Sequence, residues 1–394
     1  MSQSERSQTS TAIPEAEEGL RHLVLSRRIL ITVGSGGVGK TTAAAALGLL
    51  ASRVGSRRAL VMTIDPARRL ATSLGLTGLT HDQQAVPPDK LRPHGLPPGL
   101  LHAMMLDPKR TFDDMVRRYA PDGATVDRLL HSKLYQQISA RLAGAQEYAA
   151  MEKLHEIRQS GGYDLMVLDT PPTANAMDFL DAPRKMVEAV ESPAVSLFVG
   201  SYRKAGKLSL GLLGFGAAYV VRRLARFTGG GFLDDIARFL ADLSGLLGGM
   251  HDRAAQVMAL LASDEVGFVV VTTPDPRSID EAIGFHDRLV GSQRRPGAFV
   301  VNRVRPLREV DVEAGELARR LREEHGVADA LAPRLASLLL ESHAQLQSLA
   351  RADAAEIDRL RRHCGEDIPC VQVPLFDQDV HDIGGLLELG RYLE

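Results

Sequence analysis

Eight consecutive residues, Gly34-Ser35-Gly36-Gly37-Val38-Gly39-Lys40-Thr41, constrain this chain more than any other feature. They fit the spacing G-x-x-x-x-G-K-[S/T]. An apolar run (RILITV, residues 28–33) precedes them, and an Ala- and Leu-rich stretch (residues 40–52) follows, with no breaker before Gly55. The first reads as a buried strand, the second as a helix. Glycines between them allow successive backbone N–H groups to turn toward one point, where the positive helix end also aims. Such a cradle suits a polyphosphate. Lys40 supplies a point charge for the β and γ phosphates, and the Thr41 hydroxyl is a ligand for Mg²⁺. Gly34 through Thr41, with Thr42, are therefore candidate ATP-binding residues, and Lys40 is also a candidate catalytic one.

Further short apolar runs punctuate the chain: residues 59–64, 100–106, 165–168, 266–273, 297–301 and 371–373. Helical sequence separates several of them, notably residues 110–119, 145–158, 316–362 and 383–393, whereas residues 77–98 are dense in Pro and Gly and read as a loop. Alternation of continuous apolar strands with helices predicts an α/β fold. Its mostly parallel, twisted sheet has helices on both faces, as in phosphate-loop NTPases. Ligands of such sheets sit at the carboxyl ends of the strands. Two acids stand there. Asp169 closes the run LMVL and is a candidate Mg²⁺ residue. Asp65 closes the earlier run and is placed to orient or activate water.

Between residues 193 and 263 no strand signal occurs, and helices and glycines dominate. A helical subdomain inserted at about 193–263 is the expectation. Residues 1–22 are polar and read as a disordered tail, leaving 23–394 as a single ATPase domain without internal repeat. Lys plus Arg (47) against Asp plus Glu (49) leaves −2, so no bulk basic charge recruits nucleic acid. No uncharged apolar run reaches the ~18–20 residues that span a bilayer. Cys364 and Cys370 as the only cysteines argue against a disulfide framework, and a reducing, cytoplasmic setting is expected.

Taken together, the ordered motifs resemble the ArsA/GET family, the arsenite-pump-driving and tail-anchored-protein-targeting ATPases of the deviant Walker A class. Gly36-Gly37-Val38-Gly39-Lys40-Thr41-Thr42 resembles the family's phosphate loop. Asp65-Pro66-Ala67 resembles its switch I, whose Asp works on the attacking water. Asp169-Thr170-Pro171-Pro172-Thr173 resembles its switch II. Asn302 is similar to the adenine-reading Asn, and Pro374-Leu375 to the segment against the adenine. This likeness implies Mg-dependent ATP hydrolysis, a homodimer, and a conformational switch serving a hydrophobic client or a membrane surface.

Departures from the pattern accompany the likeness. Ser35 stands where the family usually carries a second lysine that crosses the dimer to the partner's nucleotide. A hydroxyl cannot supply that charge; Arg68 or Arg69 is the candidate substitute. Arg68 also replaces a common His, and Ala174-Asn175 replaces Gly-His. Arsenite binding needs clustered thiolates, and two late cysteines do not provide them. For a client groove the candidate stretches are residues 208–221 and 232–247, with Arg222, Arg223 and Arg226 beside the first and Met250 and Met258 beyond the second. Two other readings stay open: a nucleotide-gated chaperone or scaffold with negligible turnover, and a partition-type positioning ATPase.

Overall fold

A computed structural model describes residues 20–65, 69–136, 145–171, 252–294, 296–308 and 310–394, with a few positions between 181 and 243. Eight strands form one sheet in the order β3-β4-β2-β5-β1-β6-β7-β8. They are β1 (Ile29–Val33), β2 (Ala59–Thr63), β3 (Gln84–Ala85), β4 (Leu101–Met105), β5 (Leu165–Asp169), β6 (Val266–Thr272), β7 (Ala298–Val304) and β8 (Cys370–Pro374). All neighbours are parallel except β3 on β4. Every residue of β1, β2, β5 and β6 is buried, which is why these strands read as unbroken apolar runs.

Alternate side chains feed two cores. Leu30, Val61, Val167 and Val269 meet Leu47 and Leu50 of the Lys40–Val54 helix and Leu386 and Leu389 of the Ile383–Leu393 helix. On the opposite face Ile31, Met62, Leu168 and Phe299 pack on Leu154 of the Ala145–Ser160 helix, Phe285 of Pro276–Gly291, and Ile357 and Leu360 of Ala332–Cys364. At about 1.5–3 kcal/mol for each large apolar side chain buried, these two layers hold the sheet rigid beneath its loops.

Three expectations change in detail. Residues 77–98 are not a plain loop: β3, a helical turn at Pro88–Leu91 and a 3₁₀ turn at Arg92–His94 order them, because Val86, Leu91 and Leu96 are buried in the core. Strand β7 continues past residue 301 through Asn302 to Val304, with a register irregularity there and Arg303 at φ 62°. Helical residues 316–362 divide into Ala314–His325 and Ala332–Cys364, since Gly326 takes the left-handed conformation (φ 64°) that ends the first. Residues 252–261 are helical; residues 1–19, 193–237 and 244–251 lie outside the described residues. No described helix is long and apolar enough to cross a membrane.

Candidate functional site

Parallel register assembles the site. Asp169 lies opposite Thr32 on β1 and opposite Thr63 on β2, so three strand ends deliver one row of polar groups. Thr41, from the helix after β1, joins that row. Its hydroxyl donates to Asp169 Oδ2 at 2.8 Å, and the Thr63 hydroxyl donates to the same oxygen at 2.9 Å. Asp169 is 0% exposed, and its other oxygen, Oδ1, is buried with no hydrogen-bond partner. Burial pushes the carboxyl up to about 6, against the pull of both hydroxyls and the Lys40 charge.

Thr63 serves twice, because its oxygen also accepts from the Asp65 backbone N–H at 3.1 Å. Both sequence-predicted aspartates are thus tied through one hydroxyl. Asp65 is half-buried at the end of β2. Thr32 and Thr170 brace the row from behind: the Thr170 hydroxyl donates to Thr32 O at 2.8 Å, and the Thr32 hydroxyl to Leu168 O at 3.2 Å.

The loop itself is a glycine device. Gly34, Gly37 and Gly39 hold φ of 149°, 81° and 102°. A Cβ on Gly34 would lie 2.0 Å from the Val271 carbonyl oxygen of β6, and one on Gly39 would lie 2.4 Å from Asn302 Nδ2. Only glycine meets both demands at these positions. Gly39 is the N-cap of the Lys40–Val54 helix and has no side chain to occupy the helix end. Lys40, 6% exposed, donates from Nζ to the carbonyls of Gly34 (2.9 Å) and Ser35 (2.7 Å). Burial lowers its affinity for the proton, while Asp169, Asp65 and Glu281 oppose that effect. Its ammonium therefore sits beneath the loop, within a cluster of carboxylates.

Asn302 binds the loop from outside. Its Nδ2 donates to Val38 O at 2.9 Å, and its Oδ1 accepts from the Arg303 N–H at 2.9 Å. Beside it opens a cavity of about 700 Å³, lined by Gly37, Gly39, Thr42, Asn302, Pro374 and Leu375 among others. Arg69 also lines it. Three residues chosen from sequence as a base pocket, Asn302, Pro374 and Leu375, thus border one cavity, and the phosphate loop forms its inner edge. The volume is in the range of small-ligand pockets.

On the other side of the loop the Ser35 hydroxyl donates to the Glu281 carboxylate. Glu281 lies in the first half of the Pro276–Gly291 helix and, with Ser35, Phe285 and Arg288, lines a smaller cavity of about 270 Å³. Sequence reasoning missed Thr63 and Glu281. The hydroxyl of Thr63, two residues before Asp65, was a usable signal; Glu281 left none, since an acid in a helix is ordinarily solvated. Pro66, Ala67, Arg68, Pro172, Thr173, Ala174 and Asn175 lie outside the described residues, as do residues 208–221, Arg222, Arg223, Arg226 and Met250.

The donor set suits a hard divalent cation: a buried carboxylate with one oxygen unpartnered, and a hydroxyl at 2.8 Å from the other. Residues 27–218 match the model of the anion-transporting ATPase family. Over that segment, just under half of its length, the chain is similar to the ATPases of that family. Similar proteins include ATPase GET3 of Malassezia globosa, 24% identical over 185 residues (46% of this chain, 51% of that one). ATPase get3 of Schizosaccharomyces pombe is 30% identical over 159 residues (40% and 44%). A provisionally named arsenical pump-driving ATPase of Aquifex aeolicus is 28% identical over 164 residues (40% and 39%). The chain spans only about two-fifths to one half of the length of these curated relatives. All eight loop residues, Asp65 and Asp169 fall within the matched family segment; Asn302, Pro374 and Leu375 fall beyond it.

Proposed function

We propose that this protein binds ATP across the loop and the 700 Å³ cavity and hydrolyses it with Mg²⁺. The observation that carries the reading is the shared row of Thr41, Thr63, Asp65 and Asp169 at the mouth of a glycine loop whose rim borders that cavity. In it the loop amides and the Lys40 ammonium neutralise the phosphates, with Lys40 leaving the Gly34 and Ser35 carbonyls to do so. Thr41 and Asp169 hold the cation, which supplies charge neutralisation at the transferring phosphoryl group. Asp65 orients the attacking water. Asn302, Pro374 and Leu375 frame the base.

Loss of the γ-phosphate releases the loops after β2 and β5 and thereby switches a pair of chains between two arrangements. The helical insertion would then pass that switch to a hydrophobic client such as a membrane-protein helix, a reading supported by the apolar sequence of residues 208–221. Phosphate release measured with Mg-ATP tests the reading: wild type turns over, and Lys40→Ala falls by at least about 10²-fold, the scale of losing a preorganised charge contact in the transition state. Turnover unaffected by Lys40→Ala would refute it.

A second reading, a nucleotide-gated scaffold with negligible turnover, is favoured by one contact. The Ser35 hydroxyl is directed at Glu281, so this side of the loop presents a carboxylate where relatives of the deviant class carry a lysine. Calorimetric ATP binding without measurable phosphate release is the result that selects it.

A further inference from the structure

We propose that His286, Asp287 and His363 form a second metal site, distinct from the nucleotide site, that takes a divalent transition-metal ion of the zinc type. Ligand atoms of the three residues all lie within 4.8 Å of one another. His286 Nδ1 is 3.0 Å from Asp287 Oδ1, and His363 Nε2 is 2.9 Å and 3.1 Å from the two Asp287 oxygens. Around an ion bound at about 2.0–2.2 Å, adjacent N and O ligands are separated by roughly 2.8–3.6 Å, from right-angle to tetrahedral geometry. The observed spacing therefore matches one edge of a coordination shell at each imidazole.

Two neutral imidazoles donating to one carboxylate would produce the same distances, so the arrangement of the helices matters. His286 and Asp287 belong to the Pro276–Gly291 helix, His363 to the far end of Ala332–Cys364. One turn before His363, Arg359 spans the same pair of helices to Asp280 at 2.7 Å. These two crossings run along one seam. The Arg359–Asp280 crossing is complete as an ion pair, whereas the second pairs a carboxylate with two groups that carry charge only when protonated. A dication balances that carboxylate without requiring either ring to be charged.

Access differs along the triad. His286 is 9% exposed, which fixes its ring, while the side chains of Asp287 and His363 are 52% and 46% exposed, which lets an ion enter with its remaining water ligands. Imidazole nitrogen selects zinc, copper or nickel over magnesium, which demands oxygen ligands, so this site does not compete with Thr41 and Asp169 for Mg²⁺. Its consequence is mechanical. An ion here clasps the end of the long helix to the helix that carries Glu281, the Ser35 partner at the phosphate loop.

The test uses tag-free full-length protein in excess Mg²⁺, titrated calorimetrically with Zn²⁺, alongside His363→Gln, Asp287→Asn and Lys40→Ala. Wild type and Lys40→Ala are expected to bind one ion per chain with equal affinity. His363→Gln and Asp287→Asn are each expected to weaken that binding by at least about tenfold, since even outer-shell changes cost that much. Zinc also raises the melting temperature of wild type and not of His363→Gln. No uptake by wild type, equal affinity in all four proteins, or loss in Lys40→Ala alone would overturn the proposal, while the ATPase reading stands or falls separately on Lys40.

Discussion

Asp169 shows what it costs to bury a carboxylate at the proposed cation site. Ordinary carboxyls in an unfolded chain titrate near 3.8, whereas burial raises Asp169 to about 6 in the fold. Between those values the folded protein holds a proton that the unfolded chain has released. Stability of the nucleotide-free, magnesium-free protein therefore falls as pH rises from about 4 to about 6, by roughly 3 kcal/mol from this group at 1.36 kcal/mol per unit. Urea unfolding in chelator at pH 4.5, 6 and 7.5 measures it, and Asp169→Asn should flatten that dependence while abolishing Mg-dependent turnover. A slope unchanged in Asp169→Asn would refute the assignment. Gly39→Ala makes a second residue-scale prediction. Its new Cβ meets Asn302 Nδ2 at 2.4 Å in a left-handed position, so Asn302 or the loop must shift. ATP affinity should fall at least about tenfold, with a stability loss of about 1–3 kcal/mol from backbone strain. Gly36→Ala, where glycine's φ is not positive, is the informative control.

Among the elements, the Ala145–Ser160 helix and residues 252–261 are joined by a charge pair withdrawn from water. Arg253 Nε lies 2.9 Å from Glu152 Oε1, with side-chain exposures of 7% and 1%. Arg253 Nη1 also reaches Gln159 at 3.1 Å. Among the described residues, Arg253→Met leaves Glu152 buried beside the more distant Arg118, at 4.0 Å, as its remaining charged partner, and should cost about 3–5 kcal/mol. Adding Glu152→Gln should restore part of that loss; chemical denaturation of the double-mutant cycle reads the difference. A contact of this kind has no sequence signature, because the two charges are 101 residues apart. By contrast, β1, β2, β5 and β6 were readable from sequence because burial on both faces leaves them apolar except at or next to their carboxyl ends. Elements between residues 77 and 98 were not, since three isolated apolar anchors among prolines and glycines follow neither the helical nor the strand period. The site divides in the same way. Lys40, Thr41 and the two aspartates follow from local order, whereas Glu281 reaches Ser35 only because β1 and β6 are neighbours in the sheet.

For the whole molecule, the exposed apolar surface bears on the proposed pairing of chains. Leu335, Leu338, Leu339, Leu346 and Leu349 of the Ala332–Cys364 helix are 37–56% exposed, and Leu331 at its N-cap is 59% exposed. Their steps of three, four and seven keep them on one face, while Ala336, Ala350 and Ile357 are buried against the body of the protein. The stripe runs for about 27 Å at 1.5 Å per residue. A second copy laid antiparallel presents the same leucines to it, as a two-fold axis requires. Covering both stripes removes on the order of 1,000 Å² from water, the lower bound for a stable interface. If chains pair as proposed, this helix is the predicted contact between the two copies. Leu338→Glu with Leu346→Glu places a charge in each half of the stripe without touching a core residue. Sedimentation velocity should then show a dimer for wild type and a monomer for the double variant, with unchanged melting of the monomer fold. A double variant that still sediments as a dimer moves the contact to another face, and one whose ATP turnover survives as a monomer removes pairing from the catalytic cycle.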